Sequence, residues 1–156
     1  MNLELDNKLM DKYPEIFAQR GEGPDKTMLC WGICCEDGWY DLLDMLCTDI
    51  YAFAEEHDTR IPQVAQIKQK FGGLRFYVDM GEDNIYNLIS RAENESYYIC
   101  EMCGTRKNIG QTRDWIRTVC GDCAKKNRWF TWMSYKDLEE LERKAEADVV
   151  NDDTKS

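Results

Sequence analysis

The sequence predicts an α+β fold, with helices packed on a small antiparallel sheet and a separate small module towards the C-terminal end. Three observations carry this expectation. Apolar residues recur at helical spacing through residues 38–57, the period switches to two around Gly72-Gly73, and two closely spaced cysteine pairs follow residue 99.

Residues 2–20 come first. Leu3, Leu9, Met10, Tyr13, Ile16 and Phe17 recur at roughly helical spacing, and Pro14 is expected to split the stretch into two short helices. The run Gly21-Glu22-Gly23-Pro24-Asp25 marks a loop. Trp39, Leu42, Leu43, Leu46, Ile50, Phe53 and His57 then follow a 3/4 spacing, with Asp37 as the expected N-cap and Asp41 near the positive end of the helix dipole. Ala65, Ile67 and Phe71 alternate with polar residues, as do Leu74, Phe76 and Val78. That is a β-hairpin pattern, turning at Gly72-Gly73. Helical spacing returns in 82–96 through Ile85, Leu88, Ile89 and Ala92, and again in 134–147 through Leu138 and Leu141, with Ser134 and Asp137 at its N-terminal cap.

The cysteine pairs have a defined spacing. Cys100 and Cys103 form one C-x-x-C turn, with Gly104 permitting the tight bend, and Cys120 and Cys123 form another after sixteen intervening residues. This is the spacing of a four-thiolate zinc site. Residues 113–119 are expected as a strand leading into the second pair, and 121–130 as the start of a helix. A knuckle, a hairpin and a helix make a treble clef; two knuckles without a helix make a zinc ribbon. Four protein thiolates saturate tetrahedral zinc, so one structural Zn²⁺ is expected rather than a catalytic ion. The domain reading is therefore an α+β domain over 1–96, a zinc module over 97–133, a C-terminal helix over 134–150 and a polar, disordered tail over 151–156.

Charge is distributed unevenly. Residues 1–98 carry 9 basic and 19 acidic side chains, residues 99–130 carry 7 and 3, and residues 131–156 carry 4 and 8. A basic module thus sits between acidic flanks. No run of about 18 apolar residues exists, which excludes a membrane-spanning helix. Six acids and no apolar stretch in the first 25 residues argue against a secretory signal, so a cytoplasmic protein is expected. In that reducing compartment cysteines bind metal more often than they form disulfides.

Other candidates are less specific. Arg113, Arg117 and Lys126, with Trp115, Trp129, Phe130 and Trp132, are possible nucleic-acid contacts within 99–130, although the acidic whole would be repelled by phosphate. The simpler expectation is that these aromatics pack the module against the main domain. Lys68, Lys70 and Arg75 flank the hairpin turn and are possible anion contacts, with a solvated basic face as the simpler reading. Cys30, Cys34, Cys35 and Cys47 lack knuckle spacing and are expected as buried free thiols. The one histidine, His57, falls on an apolar stripe, where capping a helix C-terminus explains it better than catalysis. Its isolation also argues against the His-Asn-His nucleases that share treble-clef folds. No nucleophile–base pair or open metal position is visible, so no enzymatic activity is expected.

Three blocks taken together resemble a known family. They are Trp31-Gly-Ile-Cys-Cys-Glu-Asp-Gly-Trp-Tyr-Asp-Leu-Leu43, Gln66-Ile-Lys-Gln-Lys-Phe-Gly-Gly-Leu-Arg-Phe-Tyr-Val78, and the cysteine pairs with Trp115. This arrangement, over roughly residues 29–124, is similar to a family of small uncharacterised phage and prophage proteins. The resemblance implies a phage accessory protein in the bacterial host cytoplasm. It carries no catalytic residues across. The expected function is binding and modulation of a host protein, including a defence system, with the acidic surface of 1–98 facing a basic partner. A nucleic-acid-binding regulator acting through the basic module is the alternative.

Overall fold

Helix α2, Tyr40–His57, presents Leu42, Leu43, Leu46, Cys47, Ile50 and Ala54 to the interior, the stripe that its sequence spacing predicts. It stops where Asp58 takes a left-handed φ of 51° and its N–H bonds the Ala54 carbonyl. Its start corrects the expectation. Trp39, not Asp37, is the N-cap, and it makes no side-chain cap bond. Asp37 lies in a preceding 3-10 turn and accepts instead from the Asn2 backbone N–H at 2.7 Å and the Asn2 side-chain amide at 2.8 Å. Asn2 is itself the N-cap of helix α1, Leu3–Lys12. The carboxylate therefore ties two helix starts together, and these bonds from Asn2 hold Asp37 below the usual carboxylate range. The structure is a computed structural model that describes residues 1–153, with side chains described through Lys144.

Pro14 ends α1 more completely than expected. Residues 14–21 form successive turns, not a second helix, yet Ile16 and Phe17 are still buried. Strands β1, Val64–Lys70, and β2, Gly73–Val78, form the predicted antiparallel hairpin, with Ile67 opposite Phe76 and Lys70 opposite Gly73. The two-residue turn is Phe71-Gly72 rather than Gly72-Gly73, and both residues have positive φ, at 52° and 78°. That is the geometry that matches the strand twist. Phe71 pays for it in strain and points outward, against the inward position its alternation suggested. Cys34 extends the hairpin edge, donating to Ile67 and accepting from Gln69.

Helix α3, Asp83–Ser96, lies where the period predicts and buries Ile85, Ile89 and Ala92. These elements close one core of twenty-two buried residues centred on Trp39, Leu43, Ile50 and Ile67. After α3 the chain forms a second, smaller unit. Strands β3, Ile109–Gln111, β4, Thr118–Cys120, and β5, Met133–Ser134, pair antiparallel in the order β4-β3-β5. The strand expected over 113–119 is thus confined to its end. Helix α4, Gly121–Lys126, is shorter than the 121–130 expected. Helix α5, Tyr135–Asp153, starts with the predicted cap, Ser134 Oγ accepting from the Asp137 N–H at 3.1 Å. It runs three residues into the segment expected as a tail, and 154–156 lie outside the described residues.

Among the described residues, no helix is long and apolar enough to cross a membrane.

Candidate metal centre

The first cysteine pair sits on a tight turn between α3 and β3. Cys100 and Cys103 bracket Glu101 and Met102, the Gly104 N–H returns to the Cys100 carbonyl at 2.9 Å, and Gly104 adopts a φ of 75° that favours glycine. The second pair sits where β4 becomes α4. Cys120 is the N-cap, and its sulfur accepts from the Cys123 N–H at 3.4 Å. Pairing of β3 with β4 sets Ile109 opposite Cys120, and the Glu101 N–H bonds the Thr118 carbonyl at 2.9 Å. These bonds bring the two turns face to face.

All four sulfurs lie within 4.8 Å of one another, and none is in a disulfide. Tetrahedral coordination with sulfur at about 2.3 Å from a metal implies sulfur–sulfur edges of about 3.8 Å. The Cys103 and Cys120 sulfurs stand at 3.8 Å. Burial pushes the Cys100 thiol up to about 11, opposed by backbone hydrogen bonds, and burial also raises Cys123. At Cys103 burial acts in the same sense, but the Thr105 N–H and the neighbouring sulfurs outweigh it, so its thiol is lowered. Backbone N–H groups of both turns point at these sulfurs, an arrangement that favours the thiolate form. A cation at their centre would replace the protons and satisfy all four. The donor set and spacing therefore fit a metal site held by Cys100, Cys103, Cys120 and Cys123. Its apolar surround is small: Val119 and Ala124 are buried with Cys100 and Cys120, and Met102, Ile109, Trp129 and Trp132 pack alongside.

The centre is locked to the main body by contacts that residue order does not announce. The Gly38 N–H donates to the Glu101 carbonyl at 2.8 Å, and a Cβ on Gly38 would collide with the backbone of Cys100, Glu101 and Gly104. Trp39 Nε1 donates to the Ile99 carbonyl at 3.0 Å. Glu101 is 1% exposed. One of its oxygens accepts from the Glu36 N–H at 3.3 Å, while the other lacks a hydrogen bond and lies 3.6 Å from Arg117 Nη1. Burial raises the Glu101 carboxyl, and Arg117 opposes that shift. No spacing rule marks Glu101, because the middle positions of a C-x-x-C turn are ordinarily exposed.

The predicted cationic residues divide into different roles. Arg117 bonds Glu36 at 3.2 Å, faces Glu101 and stacks over Trp129 at 5.7 Å, so it works internally. Arg113 and Lys126 are exposed. Lys68 and Arg75 are cross-strand neighbours, but Lys68 lies over the Tyr77 ring and Arg75 donates to the Leu74 carbonyl and Tyr97 hydroxyl. Lys70 lies over Phe71 at the hairpin tip. Cys35 and Cys47 are buried, and burial raises both thiols; Cys34 is exposed and Cys30 half-buried, which departs from the expectation for those two. Among the described residues these four form no second metal cluster. His57 stacks on Phe53 and bonds its carbonyl at 3.0 Å, in the last turn of α2.

The aromatics of the module also divide. Trp129 and Trp132 pack on the small core, Trp132 donating to the Val119 carbonyl at 3.0 Å. Trp115 is 73% exposed and Phe130 91%, which corrects the expectation that they pack against the main domain. Trp115 stands on a loop pinned by buried Thr112, whose hydroxyl donates to the Trp115 carbonyl and accepts from the Arg117 N–H at 2.9 Å. Phe130 follows Arg128, which has a left-handed φ of 59°. The two rings border one cavity with Arg117, Arg128 and Trp129 between them.

Comparison with protein-family models, curated proteins and solved structures finds no match to this chain.

Proposed function

We propose that this chain is a non-enzymatic, zinc-stabilised binding protein that engages and modulates a host protein in the bacterial cytoplasm, as a phage accessory factor. Zinc is the metal that a closed set of four cysteine thiolates suits best, and such a set leaves no position for a reacting water. The order of cysteine turn, β3–β4 hairpin and α4, with the last two ligands at the start of the helix, supports a treble clef over a ribbon. The phage reading rests on the sequence resemblance.

The observation that carries the binding reading is the exposed pair Trp115 and Phe130, held on short, hydrogen-bonded turns over the metal core. Tryptophan, tyrosine and arginine dominate the energetics of protein interfaces, where a few large side chains fill desolvated pockets. Phe71 and Ile116 are exposed as well, and a Cβ on neighbouring Gly72 would come within 3.2 Å of Ile116, so the hairpin tip extends the same surface. The acidic flanks would favour a basic partner and speed encounter with it. The test is capture from host lysate by the metal-loaded protein, compared with a Trp115→Ala/Phe130→Ala variant of equal metal content. Capture of a specific protein should fall about ten-fold or more in the variant. Undiminished capture would remove this surface from the account.

One observation favours the nucleic-acid reading. Arg113, Lys125, Lys126 and Arg128 are all exposed on the same module as these rings. Labelled single-stranded DNA or RNA should then bind with a steep loss on adding salt, and an Arg113→Ala/Lys126→Ala variant should reduce both affinity and salt slope. Salt-independent binding, or none, leaves the protein-partner reading alone.

A further inference from the structure

Away from the metal and from Trp115, a second recess opens where α5 crosses the end of α3. It is a cavity of about 540 Å³ lined by Asn94, Tyr97, Tyr98, Gln111, Tyr135, Leu138, Glu139 and Glu142. The α5 contribution is one helical face, since Tyr135, Leu138, Glu139 and Glu142 are spaced i, i+3, i+4 and i+7. Three phenol rings and two carboxylates therefore meet in one place; among the described residues no basic side chain lines it, the nearby Arg75 reaching only the Tyr97 hydroxyl.

We propose that this recess binds an alkylated ammonium group. The Tyr98 and Tyr135 rings stand 6.4 Å apart at 61°, tilted towards edge-to-face rather than stacked, and both line the recess. Tyr97 adds a third ring at the end of α3. The π-face of a phenol carries negative potential, and a cation with a diffuse, poorly hydrated charge gains most from several such faces at once. Glu139 and Glu142 add negative charge on the solvent side, which excludes anions and draws cations. Tyr98 is 63% exposed, so its ring is open to a group arriving from solvent. Tyr135 is fixed from behind, its hydroxyl 3.4 Å from Thr118 Oγ1 beside the metal-bearing strand β4. The volume lies in the range of small-ligand sites. The charged group has two possible sources, a free quaternary ammonium compound or a methylated lysine side chain of a protein.

The experiment titrates the full-length, metal-loaded protein while following the ring resonances of Tyr98 and Tyr135. The probes are tetramethylammonium chloride, the neutral isostere 3,3-dimethylbutan-1-ol, and a short peptide carrying either lysine or trimethyllysine. Saturable shifts with tetramethylammonium, at least about ten-fold weaker with the neutral isostere, are expected. Tighter binding of the trimethyllysine peptide than of tetramethylammonium assigns the source to a protein; the reverse order assigns it to a small molecule. Tyr98→Ala and the Glu139→Gln/Glu142→Gln pair, all at exposed positions, should each weaken binding several-fold. Trp115→Ala/Phe130→Ala should not change it, which separates this site from the partner surface above. Equal response to the neutral isostere, or no saturable response to any cation, overturns the proposal.

Discussion

The main body closes around Trp39, Leu43, Ile50 and Ile67, side chains that meet from α2, β1 and the turn before α2. The C-terminal module closes around Val119, Ala124 and two of its own cysteines. The first core has twenty-two buried members and the second four. Burial at roughly 25 cal/mol per Å² can offset the entropy of ordering the body, but not that of a segment with so few apolar side chains. A metal held by the four cysteines would supply the missing free energy, and structural zinc sites contribute about 10–16 kcal/mol. The difference teaches where each region is vulnerable: the body to cavities, the module to loss of one ligand.

The largest effect should come from the module. Cys120→Ser, or chelation of the wild type, is expected to cost the module about 5 kcal/mol or more, read as lost amide-exchange protection at Ile109 and Val119. Protection at Leu46 and Ile50 should change much less. An equal fall in both regions would erase the contrast between them.

Next in size is Trp39, which belongs to the body but bonds the first residue of the module's lead-in. Trp39→Ala should cost about 3–5 kcal/mol in urea unfolding. Trp39→Phe, which keeps most of the packing and leaves the Ile99 carbonyl unpaired, should cost about 1–2 kcal/mol beyond the lost volume.

A smaller effect is expected at the ionic joint. Arg117→Ala leaves the Glu101 carboxylate buried beside Glu36 without its nearest side-chain cation. Arg117 is 27% exposed, so the penalty for breaking a buried pair is reduced to about 1–3 kcal/mol. Adding Glu101→Gln should restore part of it in a double-mutant cycle. Additive losses would show that the two groups do not interact.

Asp37 gives the smallest effect, and one that depends on pH in a defined sense. Its carboxyl is held low by Asn2, so its contribution is complete above the unfolded value near 3.8 and is lost as pH falls through the lower folded value. Asp37→Asn should cost about 1 kcal/mol at pH 7, with the difference from wild type shrinking in acid. A constant difference down to about pH 2 would place the effect outside that ionisation.

Much of this was legible from residue order. The stripe of α2, the hairpin and the cysteine spacing follow from periods of 3.6 and 2 and from ligand geometry, all local properties that neighbours in the chain impose. The exposed positions of Trp115 and Phe130 were not legible, because an aromatic residue near a cysteine pair is equally at home in a core or on a rim. Arg117 looked like a surface cation because its partners, Glu36 and Glu101, are distant in the chain or hidden inside the turn. Asp37 looked like a cap because nothing in the order of residues announces Asn2 as its partner.

The sequence by itself determined which residues can hold a metal and which segments are helical or extended, since bond geometry and short-range periodicity decide both. Only the tertiary structure decided which charges are used internally, which rings are left in solvent, and that Tyr97, Tyr98 and Tyr135 share one recess with Glu139 and Glu142. Those outcomes depend on contacts between residues far apart along the chain, and the free energy of such contacts is set by packing and desolvation once the elements meet.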